Sequence, residues 1–406
     1  MDILPILSTL KRHKTAAGLI VLQIALTCAI VCNALFLISE RIATINAPTG
    51  MPDRELLVIA VHSVTRVENN EAQTKADLAA LKAIDGVQAV TLLNQMPFGD
   101  NSSASGMRKS ADSKARAIGV GSYTAREGWL ETLGLRLAEG RDFAPEEYVD
   151  GAVTWQPDPN IPAVIINQRL AQRLFPGESA LGKMVYVYGS SPQRVVGVLA
   201  ALPSTHPKAR DEHNLHTMML PIRPTYSGGS FVLRVEAGRR DAALKAAVEA
   251  LDKSSVGVKR IVREQKKFED MRSDYYRQDR SMVWLLGGVC AGLLIVTAFG
   301  IVGLASFWVQ QRTRMIGTRR ALGATQGQIL RYFQTENFIL STIGIALGMA
   351  GAYAISLALM RHYEMPRLPG SYLPIGALIL WTLGQIAVWA PARRAAALAP
   401  VAALRG

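Results

Sequence analysis

Residues 281–311 read SMVWLLGGVCAGLLIVTAFGIVGLASFWVQQ, 31 positions without an Asp, Glu, Lys, Arg or His. A helix needs about 20 apolar residues to cross a bilayer, so this run is long enough with residues to spare. Three more charge-free stretches flank it at a distance: 25 residues between Lys14 and Glu40, 24 between Glu336 and Arg361, and 25 between Arg367 and Arg393. No soluble fold of 406 residues calls for four such helices, three of them in the last third of the chain. The chain therefore reads as an integral membrane protein, which disfavours a secreted enzyme, a cytosolic enzyme or a disordered chain.

Charge around the spans sets the topology. Lys11, Arg12 and Lys14 precede the first span; Arg312, Arg314, Arg319, Arg320 and Arg331 lie between the second and third; Arg393, Arg394 and Arg405 follow the fourth. Only Asp2 and Glu336 oppose these 11 cations, whereas residues 40–280 carry 32 basic and 29 acidic side chains. Lys and Arg in short flanking loops mark the cytoplasmic side. Both termini and the loop near 312–335 are then expected in the cytoplasm, with the large block between the first two spans outside. The net charge of +13 is mostly this topology signal. It argues against nucleic acid as a partner, since a binding face would gather the cations on one soluble surface with stacking aromatics. The first apolar run is longer than a signal-peptide core and lacks a clear cleavage site, so it reads as an anchor. Cys28, Cys32 and Cys290 all fall inside spans, so the outer block has no cysteine for a disulfide.

From Leu56 the outer block runs through LLVIAV, TKADLAALKAI and VQAVTLL, and a second unit follows as SFVLRVEA, RRDAALKAAVEALDK and VGVKRIV, ending near Val262. Both have the lengths and periods of β-α-β units, which together suggest a split β-α-β subdomain. An insertion over about 95–228, rich in Gly, Pro and short β-like runs, is expected to form a second, β-rich subdomain. The charged run REQKKFEDMRSDYYRQDR, without Gly or Pro, reads as one stalk helix over 263–280. The expected order is a cytoplasmic N-terminus 1–15, a span 16–39, an α+β outer domain 40–262, the stalk, a span 281–311, a cytoplasmic loop 312–335, a span 336–360, an outer loop 361–370, a span 371–391 and a cytoplasmic tail 392–406.

Motifs for chemistry are scarce. Gly177–Met184 reads GESALGKM, one hydroxyl short of a phosphate-binding loop, because Met184 cannot ligate Mg²⁺ and no strand leads into the glycines. His206, His213 and His216, with Asp211 and Glu212 beside them, could gather a divalent ion, but their spacing matches no closed site and a solvated loop is the simpler reading. No HExxH, GxSxG or nucleophile-base pairing is recognisable, so catalysis by this chain is not indicated. Within the spans the polar residues are Gln23, Asn33, Thr297, Ser306 and Gln385, among others, and none is ionisable. Proton-driven transporters need charged groups at depth, which argues against that mode. Gly288 with Gly292, and Gly344 with Gly348, are small-xxx-small pairs that permit close helix packing within a bundle or across a dimer.

The loop QQRTRMIGTRRALGATQGQILRYFQTENFILS is the most informative stretch. A basic helix should end at Gly323, and Thr325 with Gln328 has the spacing of a capping box opening a second helix into Ile329, Leu330 and Phe333. The result would be an elbow at the membrane face, serving either as an anchor among anionic head groups or as a lever for a cytoplasmic partner.

From Arg312 to Ser341 this stretch resembles the loop and third-span entry of the FtsX/MacB-type permeases of ABC transporters, and the closing PARRAAALAPVAALRG resembles that family's C-terminal tail. In the outer block, WLETLGLRLAEGRDF, VIINQRLAQRLFPGESALGKMVYV and RVVGVLA are similar to its extracytoplasmic domain. The resemblance implies a type VII permease of the bacterial inner membrane with its large domain in the periplasm, a homodimer or heterodimer, whose loop docks on a cytoplasmic ABC ATPase. It places ATPase contacts at Gly317, Arg319, Arg320, Ala321, Leu322, Gly323, Ala324, Thr325, Gln328 and Ile329. ATP and Mg would bind the ATPase and no cofactor this chain, which lacks Walker and signature motifs, so a separately encoded ATPase is expected. The implied work is efflux or extraction of a drug, peptide or lipid, with a periplasmic adaptor and an outer-membrane channel as further partners. The alternative is a regulator of a cell-wall hydrolase, similar to the family's cell-division branch; the large two-part outer block favours the first.

Overall fold

The computed structural model describes residues 14–64, 70–112, 114–152, 156, 158–207, 212–255, 260–363 and 367–397. Lys11, Arg12, Asp211 and Arg405 lie outside these residues, as do the side chains of Glu212 and His213. In chain order, α1 (Lys14–Ile45) is followed by β1 (Leu56–Ser63), α2 (Asn70–Lys82) and β2 (Val87–Leu93). Next come β3 (Ala104–Met107), β4 (Ile118–Thr124), α3 (Trp129–Leu133), β5 (Leu137–Gly140), β6 (Val149–Asp150), β7 (Ala163–Asn167) and α4 (Gln168–Leu174). Then follow β8 (Met184–Val185), β9 (Gln193–Leu199), α5 (Glu212–Leu215), β10 (Thr217–Leu220) and β11 (Ile222–Arg223). The rest is β12 (Ser230–Val235), α6 (Arg240–Ser254), β13 (Arg260–Lys267), α7 (Phe268–Tyr275), α8 (Arg277–Gln311), α9 (Thr313–Ala321), α10 (Gln326–Tyr363) and α11 (Tyr372–Ala396). The chain divides into two compact units, residues 47–277 and the remainder.

In the first unit β1, β2, β12 and β13 form an antiparallel sheet in the order β13-β1-β12-β2, the split β-α-β arrangement. Alternation along β1 sends Leu57, Ile59 and Val61 toward Leu81 of α2 and Ala243, Ala247 and Leu251 of α6, while Val58 and Ala60 point to the opposite face. Asp77 of α2 is buried and accepts from Ser254 Oγ at 2.7 Å, Gln73 Nε2 at 2.9 Å and the Arg260 guanidinium, so one charged centre ties α2, α6 and β13. Between β2 and β12, β3, β4, β10, β7, β9 and β5 form the second sheet, with β8 pairing on β9. Its core gathers Val164, Ile166, Leu170, Val195, Val198, Met218 and Leu220.

The stalk helix over 263–280 is not formed. Residues 260–267 are instead β13, paired antiparallel with β1, and only Phe268–Tyr275 is helical before α8 begins at Arg277. The eight β13 residues RIVREQKK alternate between half-buried and exposed positions. Its position at the edge explains the charge, since natural edge strands carry Lys, Arg and Glu that discourage further pairing.

Four helices of the second unit, α1, α8, α10 and α11, are long and apolar enough to cross a membrane. α1 lies deepest, with Ile20, Ile24, Cys28 and Cys32 in a core shared with Ile345 of α10 and Leu380 and Val388 of α11. The polar side chains find local partners: Thr27 and Thr297 hydroxyls meet at 2.8 Å, Asn33 Nδ2 donates to Ala352 O at 3.1 Å, and Gln385 Nε2 to Gln334 O at 3.4 Å. The two glycine pairs differ. A Cβ on Gly348 would lie 2.5 Å from Cys28 Cβ and one on Gly344 would lie 2.8 Å from Ile24 Cβ, so this pair lets α10 approach α1. Around Gly288 and Gly292 nothing lies within 4 Å, and α8 exposes Trp284 and Phe299. Gly348→Leu should therefore lower the thermal midpoint in detergent through overpacking worth about 1–3 kcal/mol. Gly288→Leu should leave the monomer within about 0.5 kcal/mol. Equal midpoints for the two variants would refute the α1–α10 packing.

Candidate functional site

The elbow between α8 and α10 is built from local backbone chemistry. α8 stops at Gln311, and Arg312, at φ −108° and ψ 13°, turns the chain into α9. At the far end of α9, Gly323 takes φ +96°, a left-handed conformation that favours glycine. There Leu322 N–H donates to Thr318 O at 3.0 Å, Gly323 N–H to Arg320 O at 3.1 Å and Ala324 N–H to Arg319 O at 3.0 Å, closing the orphan carbonyls of the last turn. The next helix opens on a reciprocal capping box: Gln328 N–H donates to Thr325 Oγ1 at 3.3 Å and Thr325 N–H to Gln328 Oε1 at 3.0 Å. The turn between these two caps is thus only a few residues long, with its backbone engaged on both sides.

The apex is apolar and open. Leu322 is 83% exposed, and Ala321, Gly323, Thr325 and Gln328 are also exposed, while Ala324 is half-buried. Gly317 and Ile329 are buried, Ile329 in the core with Ile316, Phe333, Ala17 and Ile20. They anchor the elbow rather than present it. The two arginines named from sequence have partners inside the chain: Arg319 lies over the Tyr332 ring at 5.0 Å, and Arg320 Nη1 donates to Ala396 O at 2.5 Å. The second contact places a cation on a carbonyl of the last turn of α11, where the helix dipole favours it.

Sequence reasoning missed the base of the elbow. Arg312 and Glu336, read only as the charges bounding two spans, form a buried ion pair with side-chain exposures of 8% and 1%. Arg312 Nη1 donates to both carboxylate oxygens, at 2.8 and 3.0 Å, and the guanidinium lies over the Trp308 ring at 5.5 Å. Because α10 begins at Gln326, Glu336 sits well inside the helix. The available signal was that Glu336 is the single acidic residue between Arg280 and Arg361. Asn337 and Ser341 are buried next to it on α10, and Gly384 of α11 gives them room, since a Cβ there would lie 3.0 Å from Asn337 Nδ2 and 3.1 Å from Ser341 Oγ.

Other sequence candidates resolve differently. In the GESALGKM segment Lys183 Nζ pairs with Glu178 at 2.9 Å, on a turn that carries α4 into β8. His206 Nδ1 meets Thr205 Oγ1 at 3.0 Å, His216 is buried, and no group of three or more metal-ligating side chains occurs among the described residues.

Residues 19–251 match the family model of the MacB-like periplasmic core domain, and residues 288–400 that of the FtsX-like permease C-terminal region. YknZ of Bacillus subtilis (strain 168), an uncharacterized ABC transporter permease, is 25% identical over 338 residues, covering 82% of this chain and 79% of that protein. The macrolide export ATP-binding/permease protein MacB of Chromobacterium violaceum is 28% identical over 345 residues, covering 81% of this chain. The chain spans about half of that relative's length, 48%. The crystal structure of the YknZ extracellular domain aligns with 51% of this chain and 100% of its own, at 19% identity and a TM-score of 0.32.

Proposed function

Because the chain belongs to the FtsX-like permeases with a MacB-like periplasmic core domain, the permeases of ABC transporters, we propose that it is a mechanical subunit. A cytoplasmic ABC ATPase docks on the elbow, and its ATP-driven closure moves the spans and with them the outer domain. The observation that carries this reading is Leu322, a large apolar side chain 83% exposed at the apex of a doubly capped turn whose base is the buried Arg312–Glu336 pair. An aliphatic side chain can serve as the anchor that fills a partner's pocket at an interface, and Leu322 has the exposure for that role. The basic flanks support an elbow and two termini on the cytoplasmic side. The chain performs no catalysis of its own; ATP and Mg²⁺ belong to the ATPase.

The work done is efflux or extraction, in keeping with the macrolide and pyoverdine export proteins among its relatives. A second permease copy would pack on the uncovered α8 through Gly288 and Gly292, and an adaptor with an outer-membrane channel would complete the route. Affinity purification from the native membrane in mild detergent, with mass spectrometry of the co-purifying chains, tests the docking. Recovery of an ATPase with Walker motifs supports the reading; its absence after cross-linking overturns it.

A further inference from the structure

The outer unit carries a cleft of about 520 Å³ on the face of its first sheet opposite α2 and α6. Its size falls in the range of small-ligand sites, about 300–1,000 Å³. Its floor is hollow where register sets two small residues side by side, Ala60 of β1 and Ser230 of β12, with Glu264 of β13 on the other side of Ala60. The irregularity between Ala60 and Val61 leaves Arg263 without a cross-strand partner beside that floor. The opposite wall is the segment 95–101 with Met271 of α7. That segment is held under strain: Phe98 adopts φ +66°, fixed by its N–H donating to Thr205 O at 3.1 Å and by rings of Phe268, Tyr275 and Tyr276 at 5.4–5.7 Å. Non-glycine residues persist in such conformations where surrounding packing over-determines them, and they cluster at ligand clamps.

The charges lining the cleft are not equivalent. Lys266 is compensated by Asp274 at 3.2 Å and Glu264 at 3.5 Å. Arg263 and Asp100 have no ion pair or side-chain hydrogen bond among the described residues. One free cation and one free anion, set in a mostly polar lining that includes Gln95, Asn101 and Ser230, describe the complement of a molecule with a carboxylate, an ammonium and hydrogen-bonding amides between them.

We propose that this cleft binds a short peptide or peptide-like zwitterion, its carboxylate on Arg263 and its ammonium on Asp100. As a cargo site it rests on the export reading above. The test uses the full chain in lipid nanodiscs, without ATPase, labelled with ¹³C at the methionine methyls, with Met96 and Met271 assigned by Met→Leu variants. The probe is the tetrapeptide Ala-Leu-Val-Ala with free ends, against its N-acetyl and C-amide forms. Saturable shifts at Met96 and Met271 are expected, with each blocked end weakening binding about tenfold, the value of one charge-assisted contact. Arg263→Gln should remove the penalty for amidating the C-terminus and leave that for acetylation, Asp100→Asn should do the converse, and Arg263→Lys should restore part of the first. Equal binding of free and doubly blocked peptide, or no shift at millimolar peptide, overturns the proposal. An empty cleft with the ATPase still co-purifying leaves the docking reading standing, and a peptide-binding chain without an ATPase separates the two in the other direction.

Discussion

Leu322→Asp should release the ATPase from the purified permease while leaving the permease folded. The side chain is 83% exposed and makes no contribution to the core around Ile316, Ile329 and Phe333. Removing it should therefore change stability by no more than about 0.5 kcal/mol, as for other surface sites. At the proposed interface the same change would remove an apolar anchor and put an unpaired carboxylate in its place, a loss of at least about 2 kcal/mol, or roughly 30-fold in Kd. Charge reversal at Arg319 and Arg320 is a weaker test of docking. Arg320→Glu would break its bond to Ala396 O and set a carboxylate against the C-terminal end of α11, and Arg319→Glu would lift a cation from the Tyr332 ring. Either variant can lose the ATPase because the elbow has shifted. The comparison is made by quantifying co-purified ATPase against the thermal midpoint of each permease: Leu322→Asp should lower the first alone. Undiminished ATPase recovery with Leu322→Asp would remove the apex from the interface.

The elements that sequence predicted well are those in which a local rule and the tertiary environment agree. Four charge-free runs became four long helices because hydrocarbon and a protein core impose the same demand for apolar side chains and internally bonded backbone. The cap at Gly323 and the Thr325–Gln328 box were readable because their hydrogen bonds close within a few residues. The failure at 263–280 has the opposite cause. Without Gly or Pro, and with charge on every side, REQKKFEDMRSDYYRQDR satisfies a solvated helix locally, yet β1 offers its first residues a backbone ladder from Leu57 to Ala60. Strand preference depends on that neighbour more than on the residues themselves. The Arg312–Glu336 pair was hard to read for a related reason: the partners stand 24 positions apart, and only the folded elbow brings two boundary charges into one buried site.

That pair carries the second large effect. Glu336→Ala leaves the Arg312 guanidinium buried without its counter-ion, and breaking a buried pair from one side costs about 3–5 kcal/mol. The permease should then melt well below wild type in detergent. Arg312→Met combined with Glu336→Leu removes both charges for side chains of comparable bulk, and such replacements are commonly neutral or stabilising. The double variant should recover its midpoint and, with Leu322 still in place, its ATPase. Transmission is another matter. The pair, the Trp308 ring and buried Asn337 and Ser341 form a polar layer between helices, where groups can exchange partners as the elbow turns. An apolar substitute lacks those directional contacts, and helices joined by packing alone can slip past one another. Spin labels on the outer domain should therefore show a nucleotide-dependent distance change in the wild type and little in the double variant, although both bind the ATPase. A full distance change in the double variant would reduce Arg312–Glu336 to a structural contact and shift the transmission of force to the Arg320–Ala396 tie between α9 and α11.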